Sequence, residues 1–204
     1  MVLIKNGLKI KDYFMECLNS LNKNFFLEKK IELNSFIYVN EINDDALIDN
    51  LIIDSKKKLL ESTLNYSTNV FAKRTNFDAL VNNFYFNIFL KKIQKDIFKI
   101  YQDKFIIKEV WANFYRDSKD HAKMHNHRQA TAFCGILYCT DSSGPGTFFP
   151  QYNLNVLEKK GRYVLFSPIL DHEVKPCDFK GGRITIAWNF DFLNGWDNKN
   201  RIYI

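Results

Sequence analysis

Proline is absent before residue 140 of this 204-residue chain, and glycine occurs there only at Gly7 and Gly135. That excludes a flexible Gly-rich or Pro-rich linker from the first two thirds of the sequence. Cysteine is also scarce. Cys17, Cys134, Cys139 and Cys177 form no Cys-x-x-Cys pair, which excludes a zinc knuckle and a thioredoxin-like motif. Scattered thiols of this kind are expected in a reducing, cytoplasmic setting. The opening stretch "MVLIKNGLKIKDYF" holds no apolar segment long enough for a signal peptide. No run of about 18 apolar residues occurs, so no membrane span and no membrane partner is expected. No internal repeat and no long basic arm is found.

What is abundant is hydrophobic and aromatic. Hydrophobic residues make up 46% of the chain, and 19 Phe and 10 Tyr point to a core built from rings. Such a composition supports a packed domain and excludes a disordered chain. The length fits one domain, residues 1–204. The net charge of +6 fits an anionic partner or cosubstrate as well as a lysine-rich solvated surface.

The two halves of the chain differ in period. Segments 42–62 and 77–103 have helical spacing. In the second, Phe77, Leu80, Val81, Phe84, Ile88, Leu90, Ile93, Ile97 and Ile100 form a broad apolar face. After residue 104 the period becomes two, in "FIIKEVWANFYRD", "TAFCGILYCT", "GRYVLFS" and "RITIAWNFDF". Turn signals separate these runs, as at "DSSGPG" and "FKGG". The pattern predicts helical support over 1–103 packed on an antiparallel β sandwich or barrel over 104–204.

Histidine is rare, yet three of the four fall in "HAKMHNHRQ", residues 121–129. His125 and His127 are spaced i, i+2, which puts two imidazoles on one face of a strand. His172, in "PILDHEVKP", is the candidate third ligand of a facial set with open positions. Imidazole suits iron, zinc, copper and nickel, so ligand type alone does not name the metal. His121 is set aside as a metal ligand, because its spacing pairs it with His125 only on a helix.

Arg183 opens "RITIAWNFDF". Alternation puts Arg183, Thr185, Ala187 and Asn189 on one face and Ile184, Ile186, Trp188 and Phe190 on the other. An arginine pointing into a barrel is costly unless an anion pairs with it. A guanidinium fork beside a hydroxyl is a good carboxylate receptor. Tyr115, ten residues before His125, and Tyr138, eleven after His127, lie on the flanking strands.

Taken in order, His125-x-His127, "CGILYC", "GPGTFFP", "KKGRYVLFSP", "HEVKP" and "RITIAWNFDF" resemble the core of the iron(II)/2-oxoglutarate-dependent dioxygenases, in particular the prolyl-hydroxylase-like branch. "STNVFAKRTNFDALVNNFYFNIFLKKI" followed by "VWANFYRD" is similar to oxygenases of this superfamily from bacteriophages and marine bacteria. The resemblance spans roughly residues 65–192. It implies a double-stranded β-helix, the cupin-like jelly roll, with N-terminal helices. It implies Fe(II), 2-oxoglutarate and molecular oxygen, and a location in the cytoplasm of a bacterium or a virus-infected host cell. His125 and His172 match the metal-binding histidines, and Arg183 matches the residue that grips the far carboxylate of 2-oxoglutarate. Thr185, Tyr115 and Tyr138 match further cosubstrate contacts. The implied reaction hydroxylates a C–H bond, with a protein side chain as substrate by analogy and nucleic acid as a further partner class. One position departs from the pattern: His127 stands where the family has Asp or Glu. Three readings are open: a three-histidine site, a displaced His127 with water, or a carboxylate from Asp120 or Asp171. A cupin-like metalloprotein that does not use 2-oxoglutarate is the alternative.

Overall fold

The computed structural model describes residues 2–9, 32–62, 69–100, 105–127, 132–142, 144–192 and 202–203. In chain order the strands are β1 (Val2–Lys9), β2 (Glu32–Glu41), β3 (Val70–Phe71), β4 (Lys73–Arg74), β5 (Phe105–Tyr115), β6 (His121–His125), β7 (Phe133–Tyr138), β8 (Thr147–Phe149), β9 (Leu154–Val156), β10 (Arg162–Phe166), β11 (His172–Val174), β12 (Arg183–Phe192) and β13 (Ile202–Tyr203). Two helices, α1 (Asp45–Glu61) and α2 (Phe84–Ile100), lie between β2 and β5.

The period-two segments build two antiparallel sheets. The larger has the order β1-β2-β10-β7-β12-β5-β13, with β4 also paired to β5; the smaller has the order β3-β6-β11-β8-β9. From β5 onward the chain passes repeatedly between the sheets. Strands β5, β7, β10 and β12 enter the larger one, and β6, β8, β9 and β11 the smaller. This is the double-stranded β-helix. Its strands alternate because each has one face turned to the interior and one turned away.

The outward face of the larger sheet carries Ile184, Ile186, Trp188 and Phe190, all buried in one cluster with the helices. Asp44 caps α1 by accepting the Leu47 N–H at 3.0 Å, and Asn83 caps α2 by accepting the Phe86 N–H at 2.9 Å. Phe86, Phe89, Leu90, Ile93 and Ile97 recur at helical spacing and form the buried face of α2. Phe86 and Phe89 meet the Trp188 ring edge-on at 5.4 and 5.6 Å. Each such buried ring or branched side chain contributes about 1.5–3 kcal/mol. Gly135 makes room for this contact, since a Cβ there would stand 2.1 Å from two indole atoms of Trp188.

Two expectations change. The helix expected over 77–103 begins at Phe84. Phe77, Leu80 and Val81 sit instead in turns that hydrogen-bond to β5, through Leu80 N–H to the Val110 carbonyl and Val110 N–H to the Phe77 carbonyl. Leu80 and Val81 are core residues of a strand-hugging segment, and half-buried Phe77 meets the Trp111 ring edge-on; residues 101–103 and Cys17 lie outside the described residues. The support over 1–103 is also not all helical, because β2 pairs β10 and so extends the larger sheet. Phe36 and Tyr38 pack toward the helices while Ile37 and Val39 join the interior cluster. With both faces covered, the run "FIYV" shows no polar alternation to mark it as a strand.

Candidate metal centre and anion pocket

His125 ends β6, and its Cα partner across the strand pair is His172 of β11. Antiparallel pairing therefore brings together two residues 47 positions apart in the chain. His127 lies just past β6, where its N–H donates to the Pro168 carbonyl at 2.8 Å. The ring centroids of His125 and His172 are 4.3 Å apart, and each is 5.3 Å from that of His127. One ligand atom from each imidazole lies within 4.8 Å of the others.

The donor chemistry suits a cation. Nδ1 of His125 is 2.7 Å from the Lys123 carbonyl, and Nδ1 of His172 is 3.2 Å from the Leu170 carbonyl. A carbonyl only accepts, so each Nδ1 carries the proton and each Nε2 keeps a free lone pair. Burial keeps the rings neutral. It lowers the His125 pKa, takes His127 down to about 4 with help from the His125 charge, and takes His172 well below its ordinary value.

Neither alternative carboxylate joins the group. Asp120 accepts two bonds from the Arg116 guanidinium, at 3.0 and 3.2 Å. Asp171 accepts from Asn126 Nδ2 at 2.6 Å and from Gln151 Nε2 at 2.8 Å. His121 turns to a different neighbour: its ring stacks on Phe71 at 4.7 Å.

A cavity of about 50 Å³ links the three imidazoles to Arg183. Its wall includes Trp111, Asn113, Tyr115, Thr147 and Thr185. The strand register explains the grouping. On β12, Arg183 faces Tyr115 of β5, and Thr185 lies between Asn113 of β5 and Tyr138 of β7. Alternate residues of three adjacent strands thus share the interior face. The Arg183 guanidinium lies 4.7 Å from the Tyr115 ring centre and 5.5 Å from that of Tyr138. Burial raises the Tyr115 pKa and pushes Tyr138 up to about 12, so both phenols keep their protons.

Sequence reasoning missed two residues that meet Arg183. Thr147, not Thr185, is the hydroxyl next to the guanidinium: it accepts from Arg183 Nη2 at 3.4 Å and from Tyr138 at 2.7 Å. Thr185 instead accepts from Asn113 Nδ2 at 3.3 Å. The anion demanded by a buried arginine is Glu158, whose Oε1 lies 2.6 Å from Arg183 Nε. Both side chains are buried, at 2% and 0% exposure. Arg183 Nη1 is buried without a hydrogen-bond partner. Thr147 carries a sequence signal, since it follows "GPG" at the start of a strand; Glu158 lies in "EKKG", which reads as a solvated turn.

The fold and this pocket together define a double-stranded β-helix protein with a histidine triad and a buried arginine lining one cavity. Solved structures share that fold. The viral collagen prolyl hydroxylase of Paramecium bursaria Chlorella virus-1, in complex with 2-oxoglutarate, matches with a TM-score of 0.57 at 20% identity, covering 76% of this chain and 96% of that one. A prolyl-4-hydroxylase of Pseudomonas putida matches with a TM-score of 0.60 at 16% identity, covering 76% and 92%. HygX of Streptomyces hygroscopicus, with nickel and 2-oxoglutarate bound, matches at 0.62 and 10% identity, covering 78% and 83%. No family model and no curated protein matches the chain. At these identities the likeness is one of fold, and it is the fold of the 2-oxoglutarate-dependent oxygenases.

Proposed function

We propose that the protein is an Fe(II)/2-oxoglutarate-dependent oxygenase with a three-histidine metal site. The observation that carries this reading is the shared cavity, lined by three neutral imidazoles and a buried guanidinium. His125, His127 and His172 would hold the iron. When bound, iron(II) supplies the oxidative chemistry, in which 2-oxoglutarate and oxygen yield succinate and carbon dioxide while a substrate C–H bond becomes C–OH. The chain's own part is to orient and to exclude water. Arg183 offers the buried, unpartnered Nη1 to the far carboxylate, with Tyr115 and Tyr138 against the guanidinium, the Thr147 hydroxyl beside it and Thr185 on the cavity wall. The rings of Phe149 and Phe166, at 5.9 and 4.8 Å from His172, keep that imidazole dry on its inner side.

A protein side chain is the substrate class suggested by analogy with the prolyl hydroxylases of this fold. No helix among the described residues is long and apolar enough to cross a membrane.

The test is succinate formation by purified protein given Fe(II), 2-oxoglutarate and oxygen, with anaerobic calorimetric titration of 2-oxoglutarate onto the Mn(II)-loaded protein. Micromolar binding that needs the metal, weakened far more by Arg183→Ala than metal binding is, supports the reading. Metal binding without any 2-oxoglutarate binding overturns it. That result favours a cupin-like metalloprotein that does not use 2-oxoglutarate, a reading to which the Arg183–Glu158 contact gives some weight.

A further inference from the structure

In the buried Arg183–Glu158 pair, a carboxylate of the chain itself stands on the guanidinium assigned to the cosubstrate. Glu158 reaches Arg183 from the turn between β9 and β10. Its other oxygen accepts from Ser142 Oγ, in the segment after β7. Gly146 lets these two segments close: its φ is +75, and a Cβ there would stand 2.0 Å from the Val156 carbonyl oxygen. The Nε–Oε1 approach of 2.6 Å is a contact of charges without an aligned N–H···O bond. Nη2 meets Thr147, while Nε has only this charge contact and Nη1 has no hydrogen-bond partner. The aromatic faces of Tyr115, Tyr138 and Phe179, the last at 5.8 Å from the guanidinium carbon, surround the pair and shield it from water.

We propose that Glu158 is a specificity-determining residue of the cosubstrate pocket, competing with the far carboxylate of a 2-oxo diacid for Arg183; this rests on the reading of the cavity as a 2-oxoglutarate site. The guanidinium charge is already balanced before any ligand arrives. A second carboxylate must therefore share Arg183 with Glu158 or displace it, and two carboxylates in a dry pocket repel. A 2-oxo acid with an uncharged far end meets no such competitor. The protein thus discriminates weakly between the two kinds of 2-oxo acid.

The experiment compares wild-type, Glu158→Gln and Ser142→Ala proteins, each loaded with Mn(II) without oxygen and titrated calorimetrically with 2-oxoglutarate and with 2-oxopentanoate. Thermal unfolding of each variant is followed with and without the two acids. In Glu158→Gln, 2-oxoglutarate binding tightens about tenfold or more while 2-oxopentanoate changes less than about threefold. The unliganded variant melts lower than wild type and regains stability with 2-oxoglutarate selectively. Ser142→Ala frees one oxygen of Glu158 and shifts the preference in the same direction by less. An unchanged or reduced preference for the diacid in Glu158→Gln overturns the proposal and leaves Glu158 a prop for Arg183, while wild-type binding of 2-oxoglutarate still upholds the oxygenase reading. Failure of every variant to bind either acid overturns both.

Discussion

Replacing Arg183 by Met removes the charge and keeps most of the volume. It leaves the Glu158 carboxylate, fully buried, with Ser142 but no cation. Breaking a buried ion pair on one side costs about 3–5 kcal/mol, because the remaining charge has lost its water without a counter-charge. In a chain of this length 1 kcal/mol moves the melting temperature by roughly 2–4 °C, so the expected fall is about 6–20 °C. Glu158→Gln should fall within the same range for the mirror-image reason. The double variant removes both charges together. Its loss should be much smaller than the sum, within about 1–2 kcal/mol of wild type, since an apolar or neutral pair replaces a desolvated one. Thermal and urea unfolding of the four proteins, metal-free, gives the coupling energy directly. Additive losses in the double variant, or a shift below about 2 °C for either single variant, would refute the claim that these two groups meet as charges in a dry site.

Other outcomes follow from individual contacts. His127→Ala should weaken Mn(II) or Zn(II) binding at least about tenfold with the melting temperature of the metal-free protein little changed, whereas a bystander at this position would leave affinity unaltered. Gly135→Ala puts a methyl where the Trp188 indole already lies, so it should cost about 1–3 kcal/mol or more by urea unfolding and should shift the Trp fluorescence. Asp96 is pushed upward by burial, yet Lys99 and the hydroxyls of Tyr163 and Tyr38 hold it lower, at about 2. Its folded pKa is thus depressed below the usual carboxylate value. The stability it contributes is complete above about pH 4 and is lost as pH falls toward 2. The gap in stability between wild type and Asp96→Asn should therefore narrow over that window, and a gap constant from pH 6 to pH 2 would show that the carboxylate contributes nothing through its charge.

Strand β12 shows how far the chain's own order reaches. Its alternation separates Arg183 and Thr185 from Ile184, Ile186 and Trp188, and the structure puts the first pair on the cavity wall and the second set under α2. The histidines are legible for a similar reason. Spacing of i, i+2 at a strand end needs only local geometry, and His125 and His127 meet as that geometry requires. Strand β2 was hidden because both its faces are covered. The segment 77–82 mimicked a helix because apolar residues in successive turns happened to keep helical spacing.

Local order thus determined the helix faces, the alternating strands, the paired imidazoles and the inward arginine, since each depends on residues a few positions apart. Tertiary structure alone decided which groups face one another across the barrel. It brought His172 to His125 by strand pairing, gave Asp120 and Asp171 other partners, and carried Glu158 from a lysine-rich turn onto Arg183. The physical reason is that burial and charge pairing at that cavity arise only when β8, β9 and β12 have closed around it, and no period in the sequence records that closure.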